Sequence, residues 1–298
     1  MNTTQPFGRF SWHVLAAAVV IAAAFLVLYY DVIWWLVDDW EPNGDYSHGY
    51  MVVLLAVYFA WERRALVAAT PAHPDPRALV SMIGSMLMLL AGSLAAETFV
   101  MRVSLVVTIA SVTWFLGGWN RLKILRFPIA FLLLMIPIPD IIFNRIAFPL
   151  QLIASNLGEV TLAAASVPVL REGNLIVLPN MTLEVAEACS GIRSLVALFT
   201  LAVVYGYMAE RDWRVRAGVI VSTIPIAIAV NGLRVAATGL AANRYGAEVA
   251  EGFIHSTSGW AMFLVAGAAM VAVRMVLRAC LSWSARSVST PLDQGTTA

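Results

Sequence analysis

The chain has 298 residues, of which 60% are hydrophobic and only 12% charged, with a formal charge of +1 and a mean hydropathy of +0.80. A water-soluble domain carries about twice that charged fraction, so a sizeable soluble domain is excluded, and membrane lipids rather than nucleic acid are the expected surroundings. The composition is that of an all-α polytopic membrane protein.

Apolar stretches long enough to cross a bilayer recur at about 12–30, 46–61, 79–96, 103–119, 124–143, 148–167, 190–208, 217–240 and 256–273. The first resembles a signal peptide, but it is about twenty residues long with only Arg9 before it, and reads as a retained helix. Basic clusters recur at Arg63, Arg64 and Arg77, at Arg121, Lys123 and Arg126, at Arg211, Arg214 and Arg216, and at Arg274 and Arg278. Acidic residues such as Asp38, Asp39, Glu41 and Asp45 lie between them. By the positive-inside rule the basic loops are cytoplasmic. Parity then removes one segment. The stretch 148–167 carries Gln151, Ser155, Asn156 and Glu159 on one side, which suits a helix lying flat in the interface or packed on the outer side of the bundle. About eight crossings remain, with both termini cytoplasmic. Residues 1–283 form one membrane domain, and 284–298 a disordered cytoplasmic tail.

Pro137 and Pro139 should end or kink the fifth crossing. Between 168 and 188, Gly173-Asn174 and Pro179-Asn180 are turn signals, and Leu175–Leu178 and Met181–Val185 are rich in β-formers. These predict a small outer β-hairpin leading into the sixth crossing.

That crossing opens with Glu187-Ala188-Cys189-Ser190-Gly191-Ile192-Arg193. A thiol at a helix N-terminus, with Arg193 one turn further on the same face, is a stabilised thiolate and hence a candidate nucleophile. The seventh crossing carries Asn231-Gly232-Leu233-Arg234. Counted from about residue 217, Arg234 sits roughly 25 Å from the cytoplasmic edge of a core about 30 Å thick. An arginine within the membrane is a functional candidate by default, and Asn231 on the same face is placed to orient it. His255 opens the eighth crossing on that side, and His48 opens the second, where it either joins the site or caps its helix. Cys, Arg and His at one depth on three consecutive crossings predict an active site. The histidines show no ligand spacing, so neither metal nor cofactor is implied. Cys280, among arginines after the last crossing, reads as a helix-end residue. A transporter or a polysaccharide or protein export component is the alternative function.

Ser47-His48-Gly49, Ala188-Cys189-Ser190-Gly191, Asn231-Gly232-Leu233-Arg234 and His255, in this order and spacing, resemble the exosortase/archaeosortase family. The resemblance implies a membrane cysteine peptidase or transpeptidase of the bacterial exosortase branch. Its substrates would be exported proteins ending in Pro-Glu-Pro, a membrane helix and a basic tail. It implies Cys189 as nucleophile with Arg234 and His255 completing the site, and Arg193, Asn231 and His48 in support. Whether His255 moves a proton or only steadies the intermediate stays open.

Overall fold

The computed structural model describes residues 12–41, 46–179, 181–184, 192–246 and 255–288; the side chains of Glu184, Ile192–Ser194, His255–Ser258 and a few residues near each terminus lie outside the description. The chain is mostly helical and forms two compact units, Met1–Ile138 and Pro139–Ala298.

The first unit holds α1 (Trp12–Trp40), α2 (Gly49–Glu62), a short α3 (Arg64–Ala69), α4 (Ala78–Leu94) and α5 (Thr98–Phe131). Lipid offers apolar helices no hydrophobic reason to associate, so small and hydroxyl side chains do the work. The Tyr29 hydroxyl lies 2.7 Å from Thr108 and 3.2 Å from Ser104, Thr108 donates to Ser85 at 2.9 Å, and Ser81 meets Ser111 at 2.7 Å. Arg102, buried near the start of α5, pairs with Asp39 at 2.6 Å and donates to the Trp35 carbonyl. Helix α5 breaks at Gly118, whose φ of +81° and closeness to the His73 carbonyl leave no room for a Cβ. It ends at Phe131, and a short 3-10 turn, Leu132–Met135, leads into Pro137 and Pro139, where the prolines were expected to stop it.

The second unit begins with α6 (Asp140–Ala164) and a three-stranded antiparallel sheet, β1 (Leu170–Glu172), β2 (Leu175–Leu178) and β3 (Met181–Glu184). The expected hairpin is present, with Leu178 opposite Met181, and β1 adds a strand. Val167, Ile176 and Leu178 bury against Ala154, Leu162 and Val235. Then come α7 (Ile192–Ala209), α8 (Trp213–Tyr245) and α9 (His255–Val288), sharing a core of Leu198, Val219, Ile226, Ala266 and Met270.

Helices α6 and α8 pack at close range along a glycine seam. A Cβ on Gly158 would lie 2.6 Å from Val235 Cγ1, one on Gly232 2.8 Å from Leu157, and one on Gly239 2.9 Å from Leu162. The polar side of α6 faces the sheet: Ser155 donates to the Gly173 carbonyl at 3.0 Å, and Arg171 pairs with Glu159 at 2.7 Å. This corrects the reason given for laying 148–167 flat. Ser155 and Glu159 hold the sheet, and α6 as a whole is long and apolar enough to cross a membrane.

Among the described residues, five helical segments meet that criterion: Val19–Trp40, Thr98–Met135, Asp140–Ala164, Trp213–Tyr245 and Gly259–Leu281. Shorter apolar helices cover Gly49–Glu62, Ala78–Leu94 and Leu195–Ala209. No more than 44% of any spanning window is buried, and residues such as Val27, Val80, Leu94, Trp260 and Leu264 are exposed. Such apolar exteriors suit lipid rather than water.

Candidate active site

Helix α8 carries the candidate residues Asn231 and Arg234, and its first turn is well fixed. Asp212 caps it by accepting from the Arg214 amide at 2.9 Å. Arg216 reaches back to the Gly206 carbonyl at 3.2 Å and the Glu210 carbonyl at 2.7 Å, closing the end of α7. A Cβ on Gly206 would sit 3.0 Å from Arg216, so α7 and α8 run antiparallel from this contact. Asn231 lies about fifteen residues beyond it, roughly 22 Å, and the same count back along α7 reaches its first turn. Ile192 stands there, and Cys189 precedes it by three residues in the sequence.

The register of α9 follows from Gly218, whose Cβ would lie 2.7 Å from Leu277. Counting back to His255 puts the start of α9 level with about Leu240, roughly 9 Å further along the axis than Arg234. One end of this three-helix group therefore gathers the first turn of α7, the Asn231–Arg234 segment and the first turn of α9.

A small cavity of about 20 Å³ opens among the three helices. Leu198 of α7, Asn231 and Arg234 of α8, and Gly259, Met262 and Phe263 of α9 help line it. Arg234 is half-buried. Asn231 is only 6% exposed, and its Nδ2 has no hydrogen-bond partner among the described residues. Leaving a buried amide donor unsatisfied costs on the order of 1–3 kcal/mol, so this position is expensive for the fold.

Cys189 lies outside the described residues. Arg193 occupies the first turn of α7 and His255 is the first residue of α9, but their side chains are not described. His48 belongs to the first unit. It stands at the head of α2 with helical φ and ψ and makes no side-chain cap hydrogen bond, so the capping role is not made; its ring lies 6.1 Å from that of Tyr46. Cys280 is exposed on α9.

Sequence reasoning passed over Gly259 and Phe263 as cavity wall, although Gly259 follows His255 by one turn. It also passed over Glu210, a lone acid beside three arginines. Glu210 is 4% exposed and pairs with Arg274 at 3.2 Å and Arg278 at 3.0 Å. Arg274 also donates to the Tyr205 hydroxyl at 3.2 Å and the Ala209 carbonyl at 2.9 Å.

The family model described as transmembrane exosortase matches residues 40–272. The chain belongs to the transmembrane exosortase family. The match takes in His48, Cys189, Arg193, Asn231, Arg234 and His255. Exosortases are membrane-embedded sorting enzymes acting on exported proteins with C-terminal signals, and the apolar helices of this chain agree with a multi-pass membrane protein. No curated protein sequence and no solved structure matches it.

Proposed function

We propose that this chain is a thiol-dependent sorting peptidase or transpeptidase. It cuts exported proteins at a C-terminal Pro-Glu-Pro-type signal followed by a membrane helix and a basic tail. The observation that carries the reading is the family match over residues 40–272. Supporting it, Arg234, held within a membrane helix, lines a cavity shared with the helices that follow Cys189 and begin at His255.

The Cys189 thiolate adds to the carbonyl carbon of the scissile peptide, and the C=O π pair moves onto oxygen. The oxyanion collapses, the C–N bond breaks, and the amine leaves with a proton equivalent to the one the thiol gave up. His255 carries that proton. Arg234 keeps its charge at any working pH and stabilises the oxyanion. Water or an acceptor amine or hydroxyl then attacks the thioester, freeing the thiolate. The site faces the outside of the inner membrane, with both termini and the basic clusters in the cytoplasm. A substrate anchored by its helix presents its cleavage point at that surface, and its basic tail stays inside.

The test is mass analysis of a tagged substrate in cells expressing Cys189→Ala or Cys189→Ser. Processing should stop, and wild-type protein quenched in acid should carry a substrate-derived acyl group on Cys189. Unchanged processing in Cys189→Ala would overturn the reading.

A further inference from the structure

We infer that the Asn231 side chain is a second hydrogen-bond donor to the substrate's reacting carbonyl oxygen; this rests on the thioester reading above. Three observations carry it. The Asn231 Nδ2 is buried and without a hydrogen-bond partner among the described residues, and Asn231 is one of the residues lining a cavity. Among the described residues of that wall the other polar side chain is Arg234, whose guanidinium has donors and no acceptor. The cavity is small, about 20 Å³, which is room for an oxygen-sized group.

A water there would place its lone pairs well and its protons poorly. A carbonyl oxygen, still more an oxyanion, offers lone pairs only, and fits a wall of donors. The position agrees with the chemistry. Asn231 stands level with the first turn of α7, whose first residue follows Cys189 by three in the sequence, and the proposed function calls for the reacting carbonyl at this end of α8. The unsatisfied amide is then a pre-formed donor whose partner arrives with the substrate. Its interaction is strongest when the oxygen carries full charge, and it acts on the chemical step rather than on binding.

The experiment uses the full-length enzyme in detergent or proteoliposomes with a tagged Pro-Glu-Pro-type substrate. It compares wild type with Asn231→Ala and the near-isosteric Asn231→Leu. Acylation of Cys189 should slow about 100-fold, with KM within about threefold. The thermal midpoint should hold or rise, because a buried orphan donor has been removed. Iodoacetamide should label Cys189 at the wild-type rate. Acylation within threefold of wild type in both variants would overturn the inference. So would a loss that comes with a lower midpoint or slower alkylation, because Asn231 would then be shaping the fold or the thiol. Cys189→Ala is measured alongside. If it still processes substrate, the thioester reading itself falls; if it is inactive while the Asn231 variants work normally, only the donor role falls.

Discussion

The group formed by α7, α8 and α9 carries arginines at both ends, and the two ends are built on opposite terms. At one, Arg216 and Arg274 are engaged by Gly206, Glu210, Ala209 and Tyr205, and Glu210 is buried beneath Arg274 and Arg278. Several of its donors meet acceptors of the same chain, which is how a protein closes a helical end. At the other, Asn231 offers a donor to a cavity, beside Arg234. The first end is complete as it stands. The second leaves the Asn231 amide without a partner among the described residues. On the proposed function, similar residue types serve stability at one end and chemistry at the other, and partner geometry tells them apart where composition does not.

Substitutions at the open end should cost chemistry and spare the fold. The largest effect is expected from Arg234→Gln, which should slow substrate processing at least about 100-fold while leaving the thermal midpoint near wild type. A midpoint that drops with activity would place Arg234 among the structural arginines instead. Arg234→Lys should recover only part of the loss, since an ammonium lacks the guanidinium's planar fork.

Substitutions at the closed end should do the reverse. Glu210→Gln leaves the guanidinia of Arg274 and Arg278 without their counter-charge and should lower the midpoint by at least roughly 2–4 °C, with turnover per folded molecule unchanged. The same residue gives a pH signature. Burial alone pushes the Glu210 carboxyl up, but the Arg211 amide and the Arg274 and Arg278 guanidinia outweigh it, so its pKa lies below the ordinary value. The folded protein thus binds this proton less readily than the unfolded chain. The stability Glu210 contributes is present at neutral pH and is lost as pH falls through the carboxylate range. Thermal melts against pH should show this acid limb in wild type and a flatter one in Glu210→Gln.

The smallest effect is expected in the first unit. Thr108→Val removes contacts with Tyr29 and Ser85, and hydrogen bonds between membrane helices average about 0.6 kcal/mol. Tyr29 keeps Ser104 as a partner. A midpoint change of a degree or two, with processing unaltered, is the expected result.

Much of this was legible in the sequence where local chemistry decides local structure. Pro137 and Pro139 cannot continue a helix, and the chain leaves α5 before them. Gly173-Asn174 and the β-formers after it specify the strand turn found at β1–β2. Arg234 stood out because charge inside an apolar run is costly. What was not legible depended on long-range partners. Ser155 and Glu159 of α6 read as part of an interfacial face because their partners, the Gly173 carbonyl and the Arg171 guanidinium, lie further along the chain. β1 was missed because Leu170-Arg171-Glu172 has no strand pattern of its own, and its pairing comes from β2. The unsatisfied state of Asn231 is a property of three helices together, which no single segment records.

The glycine seam gives the site a remote adjustment screw. Val235, the neighbour of Arg234, is the residue a Cβ on Gly158 would strike. Substituting Gly158 by Ala, then Val, then Leu would push α8 away from α6 by increasing amounts. Turnover should decline stepwise with side-chain volume, although position 158 is buried against Val235 and Ile176. That graded series would measure how finely the arginine must be placed.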